Sequence, residues 1–361
     1  MKKLALSVMV TVGLGMGAAT ANAEDTLNVV SWGGAYTASQ QKAYHEPWTA
    51  KTGTKIVNID KSSNALSGLR AQVESGNITW DLVDMLPSDA IVACDEGLIE
   101  PLDHDVLLAK TPDGKPATED FVPGALTECF VASIVYSNIV AFNKDMFGGK
   151  APSAIKDVFD LKNFPGKRAL QKKPINNLEW ALIADGVPAA DVYDVLATED
   201  GVKRAFAKLD TIKDQVIWWE EGAQPPQLLA DKEVAFASAY NGRIFNAAVN
   251  ENQPFDIIWD GQVFELDGWV VPKGKLAKVK DYLKFATDSQ RLADQAKYIS
   301  YGPTRNSSAP MVTTHAETGI DMKPHMPTYA PNFATAVPKD DEFWADNGDE
   351  LAQRFNAWLA Q

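Results

Sequence analysis

Apolar and polar positions along this chain switch repeatedly between two rhythms. Leu27 to Trp32 reads as a strand that ends at Gly33-Gly34, and a helical pattern then runs from Ala35 to Lys51 and stops at Gly53. Thr54 to Ile59 is again strand-like, Ser62 caps a helix reaching Glu74, Asp81 to Met85 is a short strand, and Ser88 to Glu96 is helical. The rhythm returns beyond residue 138. Val202, Phe206, Leu209 and Ile212 recur at helical spacing, Val216 to Trp219 is strand-like, and Gln224 to Asp231 is helical. Glu233 to Tyr240 is strand-like and Asn241-Gly242 opens another helix. Phe255 to Trp259 and Val263 to Val271 read as two strands, with helices filling Lys278 to Tyr298. Such alternation predicts an α/β fold with a mostly parallel sheet and helices on both faces.

The first residues change what counts as the folded chain. Lys2 and Lys3 precede an uncharged apolar stretch from Leu4 to Ala18, and Ala21-Asn22-Ala23 is a small-x-small cleavage site. Residues 1–23 are therefore expected to be an export signal removed near Ala23. No Cys near that point offers a lipid anchor, and no later segment reaches the roughly 18 apolar residues of a membrane span. The remaining 330 or more residues exceed one usual hydrophobic core, so two lobes are expected. No low-complexity linker separates them, which argues for crossing strands that act as a hinge. The last 50 residues are rich in Pro, Asp and aromatics and are expected to wrap one lobe.

Composition adds two constraints. The formal net charge of −14 keeps the chain soluble, repels nucleic acid and mildly favours cationic solutes. The two cysteines, Cys94 and Cys129, favour one disulfide in an oxidising compartment over two separate buried thiols. Enzyme signatures are scarce. The Gly13-x-Gly15-x-Gly17 pattern lies inside the export signal, and no P-loop, Gly-x-Ser-x-Gly elbow or His-Glu-x-x-His occurs. The four histidines have no ligand spacing, so neither metal nor cofactor is expected.

Aromatic and acidic residues at strand ends are the positive signal, because ligands of open α/β sheets bind outside the carboxyl ends of the strands. Trp32 and Tyr36 follow the first strand and Asp84 nears the end of the third. Trp219 and Tyr240 end later strands, Trp180 lies early in the second half, and Tyr301 sits in a Tyr-Gly-Pro-Thr turn. Glu265, Asp267 and Trp269 alternate, so on a strand all three share a face. Indole and phenol faces attract a cation by about 0.5–2 kcal/mol each, so an aromatic box with carboxylates suits an amine or onium group. Sugars also stack on Trp.

At these residues the chain resembles the spermidine/putrescine-type periplasmic binding proteins of ABC importers. The resemblance is carried by Val30-Ser-Trp-Gly-Gly-Ala-Tyr36, Trp80-Asp-Leu-Val-Asp84, Cys94-Asp-Glu-Gly-Leu-Ile99, Ala239-Tyr-Asn-Gly242, Leu266-Asp-Gly268 and Tyr301-Gly-Pro-Thr-Arg-Asn306. It implies a type II-like two-lobed fold with the cleft between lobes, here 24–138 plus 268–305 and 139–267 plus 306–361. It implies Trp32, Tyr36, Tyr240, Asp267 and Tyr301 as ligand contacts, Asp267 pairing with an ammonium, and ABC permease subunits as partners of a monomer. One stretch departs: Gln171-Lys-Lys-Pro-Ile-Asn-Asn-Leu-Glu-Trp180 carries Lys172 and Lys173 where polyamine binders carry acids. A polyamine and a compact onium, betaine-like or amino-acid-like zwitterion therefore both stand as solutes. A periplasmic enzyme and a sensing module remain the other classes.

Overall fold

A computed structural model of the chain describes residues 26–361, so the export signal lies outside the described residues. Among those residues eleven strands form one sheet. Eight lie along its main path: β1 (Thr26–Ser31), β2 (Lys55–Asp60), β3 (Leu82–Met85), β5 (Phe130–Asn143), β6 (Arg168–Gln171), β7 (Val216–Trp219), β8 (Phe236–Tyr240) and β9 (Phe255–Val270). The two-residue strands β4 (Leu126–Thr127), β10 (Gly302–Pro303) and β11 (Val337–Pro338) attach to β5, β5 and β9. The order is β2-β1-β3-β9-β5-β8-β6-β7.

The outer strands are parallel, as the alternation predicts: β1 with β2 and β3, and β6 with β7 and β8. The centre differs. Phe255 to Val270 is one strand rather than two, and it pairs antiparallel with the 14-residue β5 through most of its length. The reason is legible in the burial pattern. Asp260-Gly261, which resembles a turn, instead continues the strand with Gly261 at φ +65°. β5 is buried along its whole length, so it shows no alternation to mark it.

These two long strands join two cores. On one side Leu27, Leu69, Leu82, Phe130, Trp269 and Leu283 pack together. On the other, three adjoining clusters gather residues between Ile139 and Val263 with the C-terminal segment. The C-terminal helix, Asp341–Leu359, buries Trp344, Leu351, Phe355 and Trp358 against Leu178, Val202 and Leu209. It does wrap one side, as the composition of the tail predicts. Its first turn is capped by the Asp340 carboxylate, which accepts from the Phe343 amide.

Local signals set most helix ends. Gly53 takes the left-handed conformation that terminates the Ala35–Lys51 pattern, which is helical from Gly34 to Thr52 with a π-helical turn at Gln41–His45. Cys94, on the helix Pro87–Asp95, is bonded to Cys129 just before β5, across a sequence separation of 35. The bond ties a helix to the strand that enters the crossing pair. Loop entropy gives it a stabilisation of about 4 kcal/mol. Replacing both cysteines by serine should lower urea-unfolding stability by about that amount, and dithiothreitol should do the same to the unaltered chain.

Candidate functional site

Where the two cores meet, β1, β3, β5, β8 and β9 deliver side chains to one cavity of about 90 Å³. Positive φ at Gly33 (+77°) and Gly34 (+59°) turns the chain sharply after β1. This puts Trp32 at the mouth and buries Tyr36 in the helix Gly34–Gln40. β9 supplies Asp267, and β5 supplies Ile134 and Tyr136, directly opposite Asp267 and Glu265 in the ladder. Tyr240 ends β8. Gly242 follows it, and a Cβ there would lie 2.5 Å from the Tyr301 ring, so only glycine lets that ring close the floor.

The tyrosines hold one another edge-on or tilted. Tyr136 meets Tyr240 at 5.8 Å between centroids and Tyr301 at 6.0 Å, and Tyr36 meets Tyr301 at 6.0 Å. Burial raises the pKa of all four hydroxyls, so they stay neutral donors and acceptors.

Three acids approach the cavity and are treated differently. Asp84 is fully buried behind Tyr36 and accepts both hydrogen bonds of the Gln40 amide, at 3.1 and 2.9 Å, and the Tyr36 hydroxyl at 3.3 Å. Burial, and then the neighbouring Asp267, raise its pKa. Glu265 accepts from Asn138 and from Lys339, each at 2.6 Å. Asp267 accepts from the Trp32 indole at 3.0 Å, the Tyr36 hydroxyl stands close by, and its other carboxylate oxygen has no hydrogen-bond partner among the described residues. Burial pushes its pKa up to about 7. A carboxyl group 2% exposed with an open oxygen has room for one more hydrogen-bond donor.

The cavity has a second pole that sequence reasoning missed. Arg243, on the first turn of the helix Asn241–Phe245, lines it with Tyr240, Tyr301 and Asp267. Among the described residues no side chain forms an ion pair or hydrogen bond with this guanidinium. The available signal was its place three residues after a strand-ending aromatic, on the helix that the strand opens. Tyr136, Ile134 and Leu86 were also missed, because β5 and β3 are buried along their whole length and show no alternation between faces.

The structure brings Trp32, Tyr36, Asp267, Tyr240 and Tyr301 together around this cavity. Other expected residues lie elsewhere. Asp84 backs Tyr36 without facing the cavity. Glu265 lines a neighbouring chamber. Trp219 is buried behind Tyr240, 6.1 Å between centroids, with its indole on the Ser238 hydroxyl. Trp180 is core, donating to the Gly261 carbonyl at 2.9 Å. Trp269 is core too, fully buried and edge-on to Tyr44 at 5.4 Å. It shares a strand face with Asp267 and Glu265, but β9 advances about 3.3 Å per residue. One face therefore passes from a lobe core through the cleft into the next chamber. Lys172 pairs with Glu220 at the surface, while Lys173 lines that chamber.

A crossed sheet with an acid-and-cation cavity between two cores is the arrangement of a two-lobed periplasmic binding protein. The chain belongs to the bacterial extracellular solute-binding protein family, whose profile matches residues 43–328. A gamma-aminobutyric acid-binding protein of Pseudomonas aeruginosa is 38% identical over 351 residues, 97% of this chain and 95% of the relative. The binding protein MotA of A. tumefaciens B6, in complex with glucopine, superposes with TM-score 0.79 at 30% identity, covering 92% of this chain and 99% of that one. The GABA receptor Atu4243 gives 0.77 at 31%, covering 93% and 98%. These matches do not single out the polyamine type. The chain is thus a solute-binding subunit that delivers small solutes to an ABC permease outside the cytoplasm, and its family comprises binding proteins, not enzymes.

Because Trp269 is core, Trp269→Ala should cost stability, about 3–5 kcal/mol in urea unfolding. The sequence pattern alone predicts instead a loss of binding in a stable fold.

Proposed function

We propose that the chain captures a short linear zwitterion of the γ-aminobutyrate kind. One observation carries this reading: the same small cavity holds one open carboxylate, Asp267, and one unpaired guanidinium, Arg243. A solute with an ammonium at one end and a carboxylate at the other satisfies both. Tyr36, Tyr136, Tyr240 and Tyr301 then wall the methylene chain and offer their π faces and hydroxyls to the ammonium end. Two relatives that bind gamma-aminobutyric acid by name support the same solute class. A polyamine fits less well, since the second acid on the strand, Glu265, is already taken by Lys339.

Capture follows from where the walls originate. Trp32, Tyr36 and Leu86 come from one lobe, Tyr240 and Arg243 from the other, and Asp267 and Tyr136 from the crossing strands. The lobes also meet beyond the cavity, where the helix Pro87–Asp95 touches the helix Asp341–Leu359. Hinge closure assembles the site around the solute, and the solute favours the closed form by its extra contacts there.

Titration calorimetry tests this. γ-Aminobutyrate should bind the unaltered chain more tightly than putrescine or glycine betaine. Asp267→Asn and Arg243→Gln should each weaken it by about 2–5 kcal/mol, the cost of leaving a buried charge unpaired. Normal affinity in both variants, or tighter binding of putrescine, overturns the proposal.

The pH dependence has a definite sign. Only the ionised form of Asp267 attracts an ammonium, and its pKa near 7 means that protonation competes from neutral pH downward. Affinity should be level above about pH 8 and fall by up to about tenfold per pH unit below 7. The Asp267→Asn variant should lack this slope.

A further inference from the structure

Glu265 and Asp267 lie two residues apart on β9, so the strand offers two carboxylates on one face, about 7 Å apart along the chain. Only Asp267 is left open. Lys339 reaches Glu265 Oε2 at 2.6 Å and Asp341 Oδ1 at 2.9 Å, with its own side chain 3% exposed. Asn138 of β5 occupies the other Glu265 oxygen. The lysine is delivered by β11: Val337 and Pro338 pair with Val263 and Phe264, and the Lys339 amide donates to the Phe264 carbonyl at 3.0 Å. Burial alone would lower the pKa of this lysine, but Glu265 and Asp341 outweigh it and hold the ammonium charged.

Glu265 and Lys339 line a chamber of about 500 Å³ that shares Leu86, Tyr136 and Tyr240 with the aromatic cavity. A solute anchored at Asp267 and extending past those two tyrosines enters it beside the Glu265–Lys339 pair.

We infer that Lys339 is a specificity-determining residue: by occupying Glu265 it withholds the second carboxylate that a diamine needs, and so restricts the site to solutes with one cationic end. This rests on the reading that Asp267 receives the ammonium. The far ammonium of a diamine reaching into the chamber meets Lys339 where the free second carboxylate would otherwise be, because Lys339 already holds Glu265 and Asp341. An ω-amino acid avoids the conflict, because its other end is an anion and Arg243 takes it.

Calorimetry with γ-aminobutyrate and 1,4-diaminobutane on the unaltered chain, Lys339→Met, and Lys339→Met combined with Glu265→Gln tests this, with near-ultraviolet circular dichroism reporting the fold. In Lys339→Met the diamine affinity, and its ratio to that for γ-aminobutyrate, should rise on the order of tenfold to a hundredfold, the scale of one hydrogen bond to a charged group. The gain should vanish in the double variant. A folded Lys339→Met protein with unchanged diamine affinity, or a gain that survives Glu265→Gln, overturns the inference. Should Lys339→Met fail to fold, Lys339→Gln keeps a donor for Glu265 without the charge. It should show a smaller rise in the same direction, and no rise overturns the inference. Absence of γ-aminobutyrate binding to the unaltered chain overturns the proposed solute instead, whereas an unchanged diamine affinity with γ-aminobutyrate still bound removes only the role of Lys339.

Discussion

The antiparallel pairing of β5 with β9 is the constraint on which the rest of this molecule depends. Both strands run from one core into the other, and their ladder places Tyr136 opposite Glu265 and Ile134 opposite Asp267. A slip of one residue would turn Asp267 and Glu265 to the other face and bring their apolar neighbours into the cleft. The register is held from both sides, by β3 against Val270 and by β8 against β5. The acids Asp267 and Glu265 thus stand on the most heavily paired backbone of the fold, where their positions are set with little freedom to relax.

That rigidity makes the buried acids informative. Each of Asp84, Glu265 and Asp267 has lost its water, and a desolvated carboxylate is tolerated only with donors around it or with its charge suppressed. Asp84 has the Gln40 amide and the Tyr36 hydroxyl; Glu265 has an amide and an ammonium. Asp267 has one indole and an open oxygen. The acid left incomplete faces the cavity, and the cation left without a partner, Arg243, faces the same space. The open oxygen of the buried Asp267 is the costly one in the empty protein, and under the proposed function a solute with opposite charges at its two ends would complete both groups.

The aromatic residues divide by position. The cavity tyrosines line the cavity between the two cores, while Trp180 and Trp269 sit deep in the two cores as bulk. Trp219 stands between these roles, fixing Tyr240 from behind. The mouth is marked by Trp32, whose indole is tied to the cavity-lining acid, so the states of Asp267 and Trp32 are linked through one hydrogen bond.

Much of this was readable from local pattern. The strand and helix rhythm, the stop at Gly53 and the turn at Gly33-Gly34 follow from periodicity and from glycine's conformational freedom, both properties of short stretches, while the set of Trp32, Tyr36, Tyr240, Asp267 and Tyr301 came from the resemblance of their segments to the polyamine binders. The two cysteines did pair. What local pattern cannot carry is which residues far apart in the chain share a compartment. Trp269 and Asp267 alternate identically, yet one is core and the other faces the cavity, because the strand leaves one lobe between them. β5, buried on both faces, lacks the alternation that would have marked Tyr136. Arg243 and Lys339 became significant only through their pairing: the first because no acid among the described residues pairs with it, the second because Glu265 does. Charge pairing across 74 residues of chain is a property of the folded sheet, and it alone decided how many acids remain open to a solute.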